Sequence, residues 1–76
     1  MTSMISKRHF VNKLKELGYG FKEQLHFQDR YRLKGGTHII HVPRRDELNE
    51  FYVRSTLKQA GQTKSQIDSF VNDANA

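Results

Sequence analysis

At 76 residues the chain has room for one small core, since a domain of this length buries only about 60% of the surface that its unfolded form exposes. The absence of cysteine excludes a disulfide framework and a thiolate metal site, and no apolar run approaches the roughly 18 residues of a membrane span. Thirteen Lys and Arg against eight Asp and Glu give a net charge of +5, which favours a polyanionic partner without choosing among RNA, DNA, an acidic protein and an anionic membrane.

The first residues, Met1-Thr2-Ser3-Met4-Ile5-Ser6-Lys7-Arg8, lack the apolar region of a signal peptide, so a cytoplasmic protein is expected. From Ser6 onward Phe10, Val11, Leu14 and Leu17 recur at helical spacing, and Gly18 follows as a residue suited to a left-handed helix end. The pattern predicts an amphipathic helix over residues 6–17 with Ser6 as its cap. Lys7, Arg8 and His9 then lie at the positive end of the helix dipole. Either they form a tolerated basic turn or they face phosphate.

Between Tyr19 and Pro43 the period changes from 3.6 to 2, which predicts three strands. Lys34-Gly35-Gly36 supplies the turn between the second and third, and a less clearly signalled turn lies near His26 to Asp29. Alternation places Phe21, Leu25 and Phe27, then Tyr31 and Leu33, then Ile40 and Val42 toward the core. The opposite face then carries Lys22, Gln24, His26, Arg30, Arg32, Ile39 and His41. A basic, histidine-bearing sheet face is the most informative feature of the pattern, set against the plainer reading of a solvated face.

Pro43 cannot donate to a ladder and closes the third strand; Arg44 and Arg45 lead into Asp46-Glu47-Leu48 and a second helix that ends at Gly61. Val53, Leu57 and Ala60 give that helix its apolar stripe. Thr63 with Gln66 has the spacing of a capping box, followed by a short third helix carrying Ile67, Phe70 and Val71. The tail, residues 72–76, is expected to be frayed. The whole chain is thus expected to be one domain, α+β, a small two-layer αβββαα fold with helices on one face of a three-stranded antiparallel sheet.

The run VPRRDELNEFYVRSTLKQAGQTKSQIDSF, residues 42–70, resembles the C-terminal half of the HicA family. That family has a Val-Pro strand end, a Glu-Leu a few residues on, a helix ending in a Leu-Lys-Gln-Ala-Gly-like run and a short final helix. The counterparts here are Val42-Pro43, Glu47-Leu48, Leu57-Lys58-Gln59-Ala60-Gly61 and the helix from Lys64. The N-terminal half is similar more loosely, through Glu16-Leu17-Gly18 followed by Tyr19 and Phe21. The resemblance implies a fold like the double-stranded-RNA-binding domain, an RNA-cleaving toxin (mRNA interferase) and a HicB-type antitoxin as partner. It also implies a catalytic histidine, which the family carries in a Gly-Ser-His turn. Here that turn reads Gln24-Leu25-His26, with Gly36-Thr37-His38 as the rival placement.

RNA cleavage without a metal requires a base for the 2′-hydroxyl proton, an acid for the leaving oxygen and cations for the charge on phosphate. Histidine suits the first two roles, because its unperturbed pKa of about 6.5 makes both protonation states available near neutrality. His26 is therefore the candidate catalytic residue and His38 the runner-up. The candidate RNA contacts are Lys22, Arg30, Arg32, Lys34, Arg44, Arg45, Arg54 and Lys58. Tyr19, Phe51 and Tyr52 are candidates for stacking on unpaired bases.

No pair of histidines has metal-ligand spacing, because none lies four apart on a helix and His38 and His41 face opposite sides of a strand. No metal or other cofactor is expected. A P-loop, a serine elbow and a cysteine nucleophile are absent from the sequence. Three readings compete: a HicA-like endoribonuclease, a non-catalytic RNA-binding module on the same fold, and a small basic protein inhibitor or adaptor. A monomer or small homo-oligomer suits each of them.

Overall fold

The computed structural model describes residues 4–75. In chain order the elements are β1 (Met4–Ser6), α1 (Lys7–Glu16), β2 (Tyr19–Gln24), β3 (Gln28–Leu33), β4 (Ile39–Pro43), β5 (Glu47–Asn49), α2 (Glu50–Gln59) and α3 (Lys64–Ala74). The α+β architecture follows the expected order, with β2, β3 and β4 forming a three-stranded antiparallel sheet. One addition comes from β1 and β5, which pair as a two-stranded antiparallel sheet and bury Ile5 opposite Leu48. Residues 72–74 continue α3 instead of fraying, and Ala74 packs against the core. Ala76 lies outside the described residues.

Each helix boundary has a local cause. Helix α1 presents Phe10 and Leu14 to the core and stops where Gly18 adopts φ +96°, a conformation costly for residues with a Cβ. Ser6 occupies its N-cap position but makes no side-chain cap bond, contrary to expectation. The strand β1 uses that residue for pairing, and Lys7 N–H instead donates to the Asp46 carbonyl at 2.8 Å. Helix α2 starts later than Asp46-Glu47-Leu48 suggests, because those residues lead into β5; Asn49 caps the helix by accepting from Phe51 N–H at 2.8 Å. The capping box of α3 is present in both halves, Thr63 accepting from Gln66 N–H and Gln66 from Thr63 N–H.

The core joins the inner sheet face, through Tyr19, Tyr31, Ile40 and Val42, to Phe10, Leu14, Val53, Leu57, Ile67 and Val71 of the three helices. Tyr31 opposite Ile40 and Arg30 opposite His41 place β3 and β4 with the faces the alternation predicts. Strand β2 departs from it. Phe21 pairs with Tyr31 and Glu23 pairs with Arg30, so Lys22 is an extra residue, a bulge that reverses the alternation beyond it. Glu23 thereby joins the outer face and forms an ion pair with Arg30. The expected burial of Phe21 and Phe27 is corrected: Phe21, before the bulge on an edge strand, is 57% exposed although it pairs with the inward Tyr31, and Phe27, in the turn beyond β2, is 80% exposed.

Asp29 is the one acid that faces inward on β3, at 7% exposure, and Lys7 of α1 meets its carboxylate at 3.0 Å. This pair accounts for the lysine at the positive end of a helix, because Lys7 compensates a buried charge on the sheet.

All three tyrosines are pushed above their ordinary pKa of 10.0 by burial, with the nearby Asp29 charge reinforcing the effect at Tyr31. A folded value above the unfolded one means that their contribution to stability is intact below pH about 10 and is lost as pH rises through the folded values. Thermal unfolding is therefore expected at a lower temperature at pH about 11 than at pH about 8. Tyrosinate absorbance should rise with loss of the fold. Full tyrosinate formation near pH 10 in a chain that stays folded would contradict this account.

Candidate nucleic-acid interface

The bulge in β2 delivers the chain into a tight turn with His26 and Phe27 at its tip, closed by Leu25 N–H donating to the Gln28 carbonyl at 2.8 Å. Pro43 ends β4 beside this turn. Arg44 then donates its backbone N–H to the Phe27 carbonyl at 3.2 Å and its guanidinium to the His26 carbonyl at 3.4 Å. Arg44 is thus fixed against the histidine turn by backbone pairing, and Arg45 follows it in a turn whose N–H donates to the Pro43 carbonyl at 2.9 Å. The His26 ring stands edge-on to Phe27, with centroids 4.4 Å apart.

These residues line an open groove of about 820 Å³ between the hairpin tip and the β1–β5 sheet. Met4, Leu48 and Tyr52 supply apolar wall, and among the described residues Glu47 is the only carboxylate that lines it. Tyr52 is held in place, with its ring edge against Phe10 at 5.8 Å and its hydroxyl donating to the His41 carbonyl. His26 is exposed, and no described group hydrogen-bonds either of its ring nitrogens.

The other histidines lie elsewhere. His38, between β3 and β4, has Nδ1 2.5 Å from the Tyr19 hydroxyl and closes the end of the core. His41 is on the outer sheet face beside Arg30, and His9 is exposed on α1. His26 is not on the sheet face expected for it, because the bulge ends the alternation before the turn.

Ion pairing divides the candidate cations. Arg54 is held by Glu50 at 2.9 Å and Asp68 at 2.6 Å, which together raise its pKa, and Arg30 is held by Glu23. Among the described residues Arg44, Arg45, Lys22, Arg32, Lys34 and Lys58 make no ion pair with an acid. The free cations gather in two places: Arg44 and Arg45 beside His26, and Lys22, Arg32 and Lys34 with Lys15 at the other end of the β2–β3 hairpin. Lys58 stands apart on the exposed side of α2.

The stacking candidates also change. Tyr19 is 4% exposed and unavailable to a base, whereas Phe21 and Phe27, assigned to the core from alternation, are open to solvent, as is Phe51. A signal for the bulge was present in the chain. Unbroken alternation through Phe21 and Leu25 would also have buried Glu23 without a partner, and the bulge removes that conflict.

The structure defines a small basic α+β domain with a histidine and two unpaired arginines on one groove. In comparisons with known proteins the chain matches no family model, no curated protein and no solved structure. None of the helices is long and apolar enough to cross a membrane, among the described residues.

Proposed function

We propose that this protein is a HicA-like endoribonuclease that cleaves RNA without a metal at the groove beside His26. The observation that carries the reading is the convergence of His26, Arg44 and Arg45 on one open groove, free of competing ion pairs. The 2′-hydroxyl oxygen attacks phosphorus as its proton leaves, the bond to the 5′ oxygen breaks, and that oxygen takes up a proton. The products are a 2′,3′-cyclic phosphate and a 5′-hydroxyl.

His26 is assigned one of the two proton transfers, and Glu47 is the carboxylate positioned on the same wall for the other. Arg44 and Arg45 offset the charge that develops on the non-bridging oxygens. Phe27, 80% exposed beside the histidine, offers a face for a neighbouring base. A HicB-type antitoxin would act by covering this groove.

The test is incubation in EDTA of RNA and of DNA with the same base sequence. Cleavage of RNA with DNA left intact is the expected result, because only RNA carries the attacking hydroxyl. Cleavage of both would rule out attack by the 2′-hydroxyl.

A second reading has its own observation: no described group orients the His26 ring, as a third residue usually orients a catalytic base. In that case the groove holds RNA without turnover. Binding would then weaken steeply with added salt while the RNA stayed intact.

A further inference from the structure

We infer that a second contact for single-stranded RNA lies in the hollow around Phe21, at the end of the β2–β3 hairpin away from His26. The inference rests on the reading of the protein as RNA-binding and extends it to a separate surface. Four cations, Lys15, Lys22, Arg32 and Lys34, line an open hollow of about 530 Å³, and no acid among the described residues lines it. In their midst Phe21 is 57% exposed and held edge-on by Tyr31 at 5.7 Å, so that its ring is presented to solvent in a fixed attitude.

Several features make nucleic acid the occupant that fits. The Lys22 bulge is what leaves a lysine beside the aromatic ring instead of continuing the alternation. Arg32 is oriented by its Nε donating to the Gly36 carbonyl at 3.0 Å, which leaves its remaining guanidinium N–H groups for a ligand. The Gly18 carbonyl, which would repel an anion, is occupied by Lys34 N–H at 2.8 Å. Positive charge without acid favours phosphate, and an exposed ring among the cations favours a base, the combination by which single strands are held without regard to sequence.

Phe21 lies five residues before His26 along β2 and the turn that follows it, at most about 17 Å away at the rise of an extended strand. A strand seated at His26 and extended along β2 would reach Phe21 only after several nucleotides. The second contact therefore makes affinity depend on RNA length.

Binding is measured at low salt in EDTA for single-stranded RNAs of about 4 and about 12 nucleotides. The proteins are wild type, Phe21→Ala, Phe21→Trp, Lys22→Ala/Lys34→Ala and Arg44→Ala/Arg45→Ala, each first shown to unfold at the wild-type temperature. Phe21→Ala is expected to weaken binding of the long RNA about 5- to 100-fold and to leave the short one unchanged, with Phe21→Trp restoring affinity. The double lysine variant should lower the salt slope for the long RNA by about two.

Wild-type affinity for the long RNA in the Phe21→Ala and double lysine variants, with loss in Arg44→Ala/Arg45→Ala, would overturn the second contact and leave the His26 groove standing. Loss confined to the Phe21 and lysine variants would do the reverse. Failure of the wild type to bind either RNA would overturn both.

Discussion

Phe10→Ala is expected to destabilise the protein by about 3–5 kcal/mol. A chain of 76 residues has a total stability of about 4–11 kcal/mol, so this one truncation removes about a quarter of it or more. The magnitude follows from position. Phe10 is fully buried, at 0% exposure, on the face of α1 that meets both the sheet and α2. Its ring meets Tyr52 edge-to-face at 5.8 Å, and Tyr52 in turn donates its hydroxyl to the His41 carbonyl of β4. Removing the ring leaves a cavity at the point where a first helix, a second helix and a sheet edge are tied together. Urea unfolding of the variant should show a much lower midpoint with the slope little changed. A loss below about 1 kcal/mol would mean that the site collapses without cost and that Phe10 does not organise the core.

The second large effect is on activity. His26→Ala is expected to lower RNA cleavage by about 10²- to 10⁴-fold, the usual contribution of a positioned proton-transfer group. Its effect on stability should stay within about 0.5 kcal/mol, because the side chain is exposed and its carbonyl, not its ring, holds Arg44. His38→Ala is expected to behave in the opposite way. Its ring partners the buried Tyr19 hydroxyl at 2.5 Å, so its removal should cost about 1–3 kcal/mol of stability and leave cleavage intact in the fraction that remains folded. Parallel unfolding curves and single-turnover cleavage separate the two. Loss of cleavage in a folded His38→Ala protein, with His26→Ala unaffected, would move the site to the other end of the hairpin.

How far the sequence discloses this arrangement varies with the interaction that decides each part. The C-terminal ends of α1 and α2 and the start of α3 were legible because single residues determine them: Gly18 and Gly61 take positive φ, and the Thr63–Gln66 box closes as its spacing predicts, whereas Ser6 makes no cap bond and α2 begins only after β5. The faces of β3 and β4 were legible because neither strand carries a bulge and their register runs without a shift from Gln28 opposite Pro43 to Arg32 opposite Ile39. The faces of β2 beyond Phe21 are not legible from alternation, since a bulge has no composition of its own; only the otherwise unpartnered Glu23 hints at it.

The β1–β5 pairing joins residues more than forty positions apart through a single buried couple, Ile5 and Leu48, and a three-residue strand leaves no period to detect. The groove depends on both of these features. Thus His26 and the two arginines were legible one by one, whereas their convergence depends on Arg44 pairing with the histidine turn. The same limit applies to Arg54, whose positive charge is plain in the sequence but whose acids, Glu50 and Asp68, come from α2 itself and from the helix packed beside it.

The central claim is tested most directly by incubating a mixed-sequence RNA with wild type and His26→Ala in EDTA and determining the ends of any fragments. The account predicts fragments from the wild type bearing 2′,3′-cyclic phosphate and 5′-hydroxyl ends, and intact RNA with the variant. Intact RNA with both proteins, or equal cleavage by both, would contradict it.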